Sequence, residues 1–113
     1  LRLMWNRGLH EKAAIERYFD PRSRYLHSPF LLEGIPVALN RIFQAFAGEE
    51  SIRVFGDRDV DGITSTVLLL ETLREYSKKV DYTVPVIEDG YGLNTDYLET
   101  DKRDGVTLIF TVD

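Results

Sequence analysis

The stretch Gly56–Gly62, read GDRDVDG, places Asp57, Asp59 and Asp61 at alternate positions between two glycines. Unit charges a few ångströms apart repel by about 1 kcal/mol per pair even in water, so this crowding needs a compensating role. Carboxylate oxygens are hard ligands suited to Mg²⁺, Mn²⁺ or Ca²⁺. A carboxylate can also act as nucleophile or as acid and base. The plain alternative is a solvated acidic turn.

The elements around the cluster argue for a site. SIRVF, ending at Gly56, is a short β-rich run, and ITSTVLLLETLREYSKK behind Gly62 reads as a long helix. VDYTVP is a second strand closed by Pro85. NTDYLETDKRDG predicts a short helix capped by Asn94 or Thr95 and stopped by Gly105. VTLIFTV is a third strand, apolar enough to be covered on both faces. This alternation predicts an α/β fold, a parallel sheet of βαβ units. In such sheets sites form at the carboxyl ends of the strands. Asp57, Asp59 and Asp61 follow the first strand and Asp113 follows the third, so four carboxylates converge on one edge. On an extended segment, residues two apart point to the same side, which would let Asp59 and Asp61 each lean toward one ion.

Two helices precede the sheet in this reading: His10–Phe19, with an apolar stripe of Ala13, Ala14, Ile15, Tyr18 and Phe19, and Pro36–Ala47, with Ile35, Leu39, Ile42, Phe43 and Phe46 on one face and Gly48 as its stop. The connector DPRSRYLHSPF holds two prolines and must run irregularly.

Spacing separates the candidate chemistries. A calcium loop opening at Asp57 needs a bidentate Glu at its twelfth position, where Leu68 stands, and a helix before it, where SIRVF reads as a strand. The haloacid-dehalogenase phosphatase signature, D-x-D-G-T, would make Asp59 the nucleophile and Asp61 the acid/base. Here Ile63 follows the glycine, Thr64 is displaced by one, and Asp57 is left without a role. A pair of divalent ions uses the whole cluster: one ion lowers the pKa of a water, and the pair holds the attacking and leaving oxygens of a phosphoryl group. Asp113 would bridge them.

IRVFGDRDVDGITSTVLL resembles motif I of the DHH phosphoesterases, in particular their RecJ-type single-strand-specific DNA exonucleases. LHSPFLL upstream, EDGYGLN downstream and the closing LIFTVD, similar to the start of motif II, agree in order. The resemblance covers residues 19–113. It implies a metal-dependent 5′→3′ hydrolase of single-stranded DNA serving repair and recombination, with two Mn²⁺ or Mg²⁺ ions. Asp59 and Asp61 match its metal ligands, Asp113 matches the bridging aspartate, and Asp57 belongs to the same motif, as ligand or as support for one. It also implies that residues 1–48 form an N-terminal helical segment and 49–113 the N-terminal part of a DHH domain. The Asp-His-His motif that names the family is not in this chain. Relatives carry an Arg between the Pro and EDGYGL, whereas PVIEDGYGL has no basic residue. A non-catalytic relative that binds nucleotide or metal is the remaining alternative.

Other residues invite lesser roles. The hydroxyls of Thr64 and Ser65 can hold a phosphate or simply cap the helix. Tyr91, between Gly90 and Gly92, can stack on a base or serve the turn. His10 and His27 read as surface or packing residues, and Arg22 and Arg24 as surface arginines within reach of a DNA backbone.

Composition limits the rest. The chain of 113 residues is 43% hydrophobic, has no cysteine, and carries a net charge of −5. Its size allows one domain at most. Thiolate metal sites and disulfides are excluded, which fits a reducing cytoplasm. Residues 1–24 carry +3 and the remainder −8, a balance that bound divalent metal can offset. No apolar run is long enough for a membrane helix, no signal-peptide pattern opens the chain, and no membrane partner is expected. The chain opens on Leu and closes directly after an apolar run, so it is expected to be part of a longer protein and inactive alone.

Overall fold

A computed structural model describes every residue except Leu1, Pro21 and Tyr91. The contacts divide the chain into two compact units, Leu1–Pro36 and Val37–Asp113.

In the first unit, a short helix α1 (Arg2–Trp5), which the sequence reading did not anticipate, precedes α2 (Lys12–Phe19). The connector behind α2 contains two 3₁₀ turns, Ser23–Tyr25 and Pro29–Leu31, the short irregular structure its prolines require. The His10 ring lies 4.2 Å from that of Trp5, and its Nε2 approaches the Trp5 carbonyl at 3.1 Å, so this histidine is used in packing. Arg22 and Arg24 both bond the Asp20 carboxylate, at 2.6 and 3.3 Å.

The second unit is built on a three-stranded parallel sheet in the order β2–β1–β3, with β1 Ser51–Gly56, β2 Val80–Thr83 and β3 Val106–Val112. Helix α4 (Val60–Arg74) connects β1 to β2, and α5 (Thr95–Arg103) leads from β2 to β3. The expected α/β architecture is observed. Helix α3 (Ile35–Ala47) packs on the sheet through Ile42, Ala45 and Phe46. The contact boundary after Pro36 therefore precedes position 48, because α3 shares the sheet's core. Phe43 turns away and is exposed, so the contact stripe is narrower than the apolar pattern implied. The α3 stop is also displaced by one. Glu49, at φ 49°, takes the left-handed position, with the amides of Glu49 and Glu50 donating to the carbonyls of Phe46 and Ala45. This is the Schellman pattern, with Gly48 one residue too early to fill its usual glycine position.

The core joins Ala45, Ile52, Val54, Leu70, Leu73 and Val80. Ile52 and Val54 lie on the central strand and are fully buried, each contributing roughly 1.5–3 kcal/mol. Strand β3 is half-buried along its length, where its apolar run suggested cover on both faces. Two polar fasteners surround this core. Arg41 grips Glu50 with both terminal nitrogens, at 3.1 and 2.6 Å, while the Thr107 hydroxyl donates to Glu50 at 2.5 Å. Arg53 on β1 meets Asp101 at 2.8 Å, Asp81 at 3.3 Å and Asp104 at 3.4 Å.

Candidate metal centre

Strand register brings the carboxylates together. Gly56 is level with Val112 across the β1–β3 pair, and the Asp57 amide donates to the Val112 carbonyl at 3.2 Å. The next residues on the two strands, Asp57 and Asp113, therefore leave the sheet side by side. Asp59 joins them: one carboxylate oxygen from each of Asp57, Asp59 and Asp113 lies within 4.8 Å of the other two. Asp57 is half-buried, while Asp59 and Asp113 are exposed. Hydrogen bonds orient the first two. Asp57 Oδ1 accepts from the Arg58 amide at 2.8 Å, and Asp59 Oδ1 accepts from the Gly62 amide at 2.9 Å.

That second bond makes Asp59 the N-cap of α4 and changes the geometry expected for Asp61. The helix begins at Val60, three residues before the apolar run, so Asp61 lies in its first turn and not on an extended segment. Each helical residue rotates about 100°, so Asp61 leaves the helix on a different side from Asp59 and is not among the three clustered carboxylates. Its charge is placed favourably near the helix N-terminus.

The bounding glycines answer a steric demand. A Cβ on Gly56 would come within 1.8 Å of Thr66 Oγ1, and one on Gly62 within 2.5 Å of the Asp57 carbonyl oxygen. The first turn of α4 is thus pressed against the end of β1, which holds the loop between them in a tight arc. Thr66 is buried, and its hydroxyl bonds the Gly62 carbonyl at 2.7 Å.

Thr64 and Ser65 use their hydroxyls internally. Thr64 Oγ1 donates to the Val60 and Asp61 carbonyls at 2.8 and 3.1 Å, and Ser65 Oγ to the Asp113 backbone carbonyl at 3.3 Å. Ser65 therefore ties α4 to the end of β3, and neither hydroxyl caps the helix. Tyr91 lies outside the described residues.

Residues beyond the predicted site complete the surroundings, Phe55, Leu93, Thr111, Asp89, Tyr97 and Arg58 among them. A cleft of about 160 Å³ opens beside the cluster, lined by Phe55, Asp57, Gly92, Leu93, Thr111 and Asp113. The loop behind β2 is secured by Asp89, which accepts from the Val86 amide and from the Tyr97 hydroxyl. That bond, with burial and the Asp89 charge, raises the Tyr97 phenol above its usual range. Tyr97 in turn packs edge-on against Phe55 at 5.3 Å. Arg58 reaches the same loop, donating through Nη1 to the Gly90 carbonyl at 3.0 Å. No local pattern reveals these partners, since each depends on segments brought together only by the fold.

The donor set suits a hard divalent cation, because three carboxylates converge with no thiolate or imidazole among them. Comparison with known proteins places the chain in a family. Residues 51–113 match the model of the DHH family, N-terminal domain. The chain belongs to the DHH family. It is similar to the single-stranded-DNA-specific exonuclease RecJ of Bacillus subtilis, with 35% identity over 98% of the chain and 14% of that protein. It is 39% identical to RecJ of Dickeya dadantii and 34% to that of Escherichia coli, in each case over 99% of the chain and 19% of the relative. The chain thus spans less than a fifth of the length of these relatives. No solved structure matches it significantly. Among the described residues, no helix is long and apolar enough to cross a membrane.

Proposed function

We propose that this chain forms the metal-binding N-terminal part of a single-strand-specific DNA exonuclease that hydrolyses phosphodiester bonds in the 5′→3′ direction, in repair and recombination. The observation that carries the reading is the convergence of Asp57, Asp59 and Asp113 at the carboxyl edge of a parallel sheet. The names of the relatives supply the substrate class.

Asp57, Asp59 and Asp113 would hold one Mn²⁺ or Mg²⁺ ion, and Asp61, in the adjoining helical turn, is assigned to a second. When bound, such ions neutralise phosphoryl oxygens and activate water. The chain's own part is to aim the carboxylates. The Arg58 and Gly62 amides fix two of them, Ser65 anchors the backbone of the third, and the cleft beside Leu93 and Phe55 gives an apolar wall next to the acids. A haloacid-dehalogenase phosphatase is set aside by the family match.

The test uses the complete protein that contains this chain. Mn²⁺-dependent release of nucleotides from the 5′ ends of single strands should fall by at least about a hundredfold in Asp59→Ala and in Asp113→Ala. Unchanged release in both variants refutes the site. On the 113-residue chain itself, Mn²⁺ should selectively broaden the amide resonances of Asp57, Asp59 and Asp113.

A further inference from the structure

Arg58 is the one basic residue in the three segments that end at the carboxyl edge of the sheet, residues 56–66, 84–94 and 112–113. Those segments also carry Asp57, Asp59, Asp61, Glu88, Asp89 and Asp113. An arginine amid six acids would be expected to pair with one of them. Arg58 instead spends Nη1 on backbone carbonyls, Gly90 at 3.0 Å and Val86 at 3.5 Å. Among the described residues it has no carboxylate partner within salt-bridge distance, and Nε and Nη2 make no hydrogen bond. Within the same unit Arg41, Arg53, Arg74 and Lys79 each lie within 4.0 Å of a carboxylate. Lys78, Lys102 and Arg103, like Arg58, have no such partner among the described residues, but none of those three stands in the segments at the carboxyl edge.

A guanidinium held by carbonyls keeps its full charge and loses much of its rotamer freedom before any ligand arrives. The fork left open matches the paired oxygens of a phosphate. Its backbone fixes its place: the Arg58 amide bonds Asp57 Oδ1, so the residue that orients one clustered carboxylate also carries the exposed cation beside it. Of the seven charged side chains a polyanion meets at this edge, six are acidic and only Arg58 attracts it. PVIEDGYGL contains no cation of its own, and Arg58 brings one to that loop from the other side of the site.

We propose that Arg58 contacts a backbone phosphate of the single strand and positions it against the carboxylate cluster. This rests on the exonuclease reading, and the two are separable by experiment. Arg58→Gln keeps a side-chain donor for the Gly90 carbonyl and removes the charge, so it divides a loop brace from a phosphate contact. Arg58→Lys keeps the charge and loses the fork.

The probe is a 5′-phosphorylated tetrathymidylate, added to the 113-residue chain with Mg²⁺ and followed by NMR at several salt concentrations. The Arg58 Nε–Hε resonance should shift on binding. Arg58→Gln should bind roughly tenfold more weakly, as expected for one charge-assisted hydrogen bond, and its logarithmic salt dependence should be shallower by about 0.7, one phosphate on a single strand. Arg58→Lys should retain the salt slope with intermediate affinity. An unshifted Nε–Hε resonance, no detectable binding, or an unchanged salt slope in Arg58→Gln overturns the proposal. The parallel Mn²⁺ titration judges the metal reading alone. Broadening of the aspartates with an unchanged Arg58→Gln slope leaves that reading standing and removes this one. An altered slope without broadening does the reverse.

Discussion

Replacing Gly62 by alanine tests the link between sequence and site most directly. Gly62 is the third residue of α4, where exchanging glycine for alanine ordinarily stabilises a helix by up to about 1 kcal/mol. Here the new Cβ would lie 2.5, 2.7 and 2.8 Å from the Asp57 carbonyl oxygen, carbonyl carbon and Cα. All three atoms are main chain, and no rotamer change can clear them. Overpacking costs about 1–3 kcal/mol, and three main-chain overlaps put this case at the upper end, so after the helix gain the net expectation is a loss of about 2 kcal/mol, with Asp57 displaced from its partners. Urea unfolding measures the first quantity, and Mn²⁺ broadening of Asp59 and Asp113 the second. Gly56→Ala supplies the contrast. Its clash is with the Thr66 hydroxyl at 1.8 Å, a side chain, so Gly56→Ala combined with Thr66→Ala should recover part of the loss. No comparable rescue exists for Gly62→Ala. A Gly62→Ala chain as stable as the parent, with metal response intact, would refute the close packing of α4 on the end of β1 and the explanation of the paired glycines.

Arg53→Ala should cost about 3–5 kcal/mol by urea unfolding, because it strands the buried Asp101 without its partner, and Arg53→Met with Asp101→Leu should recover most of that. Glu50 is held below its usual range by hydrogen bonds from Arg41 and then Thr107. Its contribution is present above about pH 4.5, the unfolded value, and is lost as pH falls through the lower folded one. Glu50→Gln should therefore flatten the acid side of the stability curve. Tyr97 runs the other way. Its raised phenol stabilises the fold below pH 10 and ceases to as pH climbs through the higher folded value. In an alkaline absorbance titration, Asp89→Asn should return Tyr97 toward the ordinary tyrosine range.

What the sequence disclosed and what it concealed divide along a physical line. Strand-end chemistry is local and obeys a general rule, so Asp57 and Asp113 could be paired from the βαβ rhythm before their register, Gly56 against Val112, was known. The direction of Asp61 could not be read that way, because it depends on where α4 begins. Apolar periodicity starts only at Ile63, yet Asp59 accepts the Gly62 amide and starts the helix at Val60. One carboxylate thus acts both as a cap and as a member of the cluster, and in capping it turns its neighbour Asp61 out of the group. The tertiary partners were hidden more completely. Arg58 looks like an ordinary surface cation in GDRDVDG, and its unusual character lies in bonding to Gly90 and Val86, residues of another loop. The acids were therefore visible as a motif, while the cation that would manage a polyanion among them became visible only when the fold showed which charges remained unpaired.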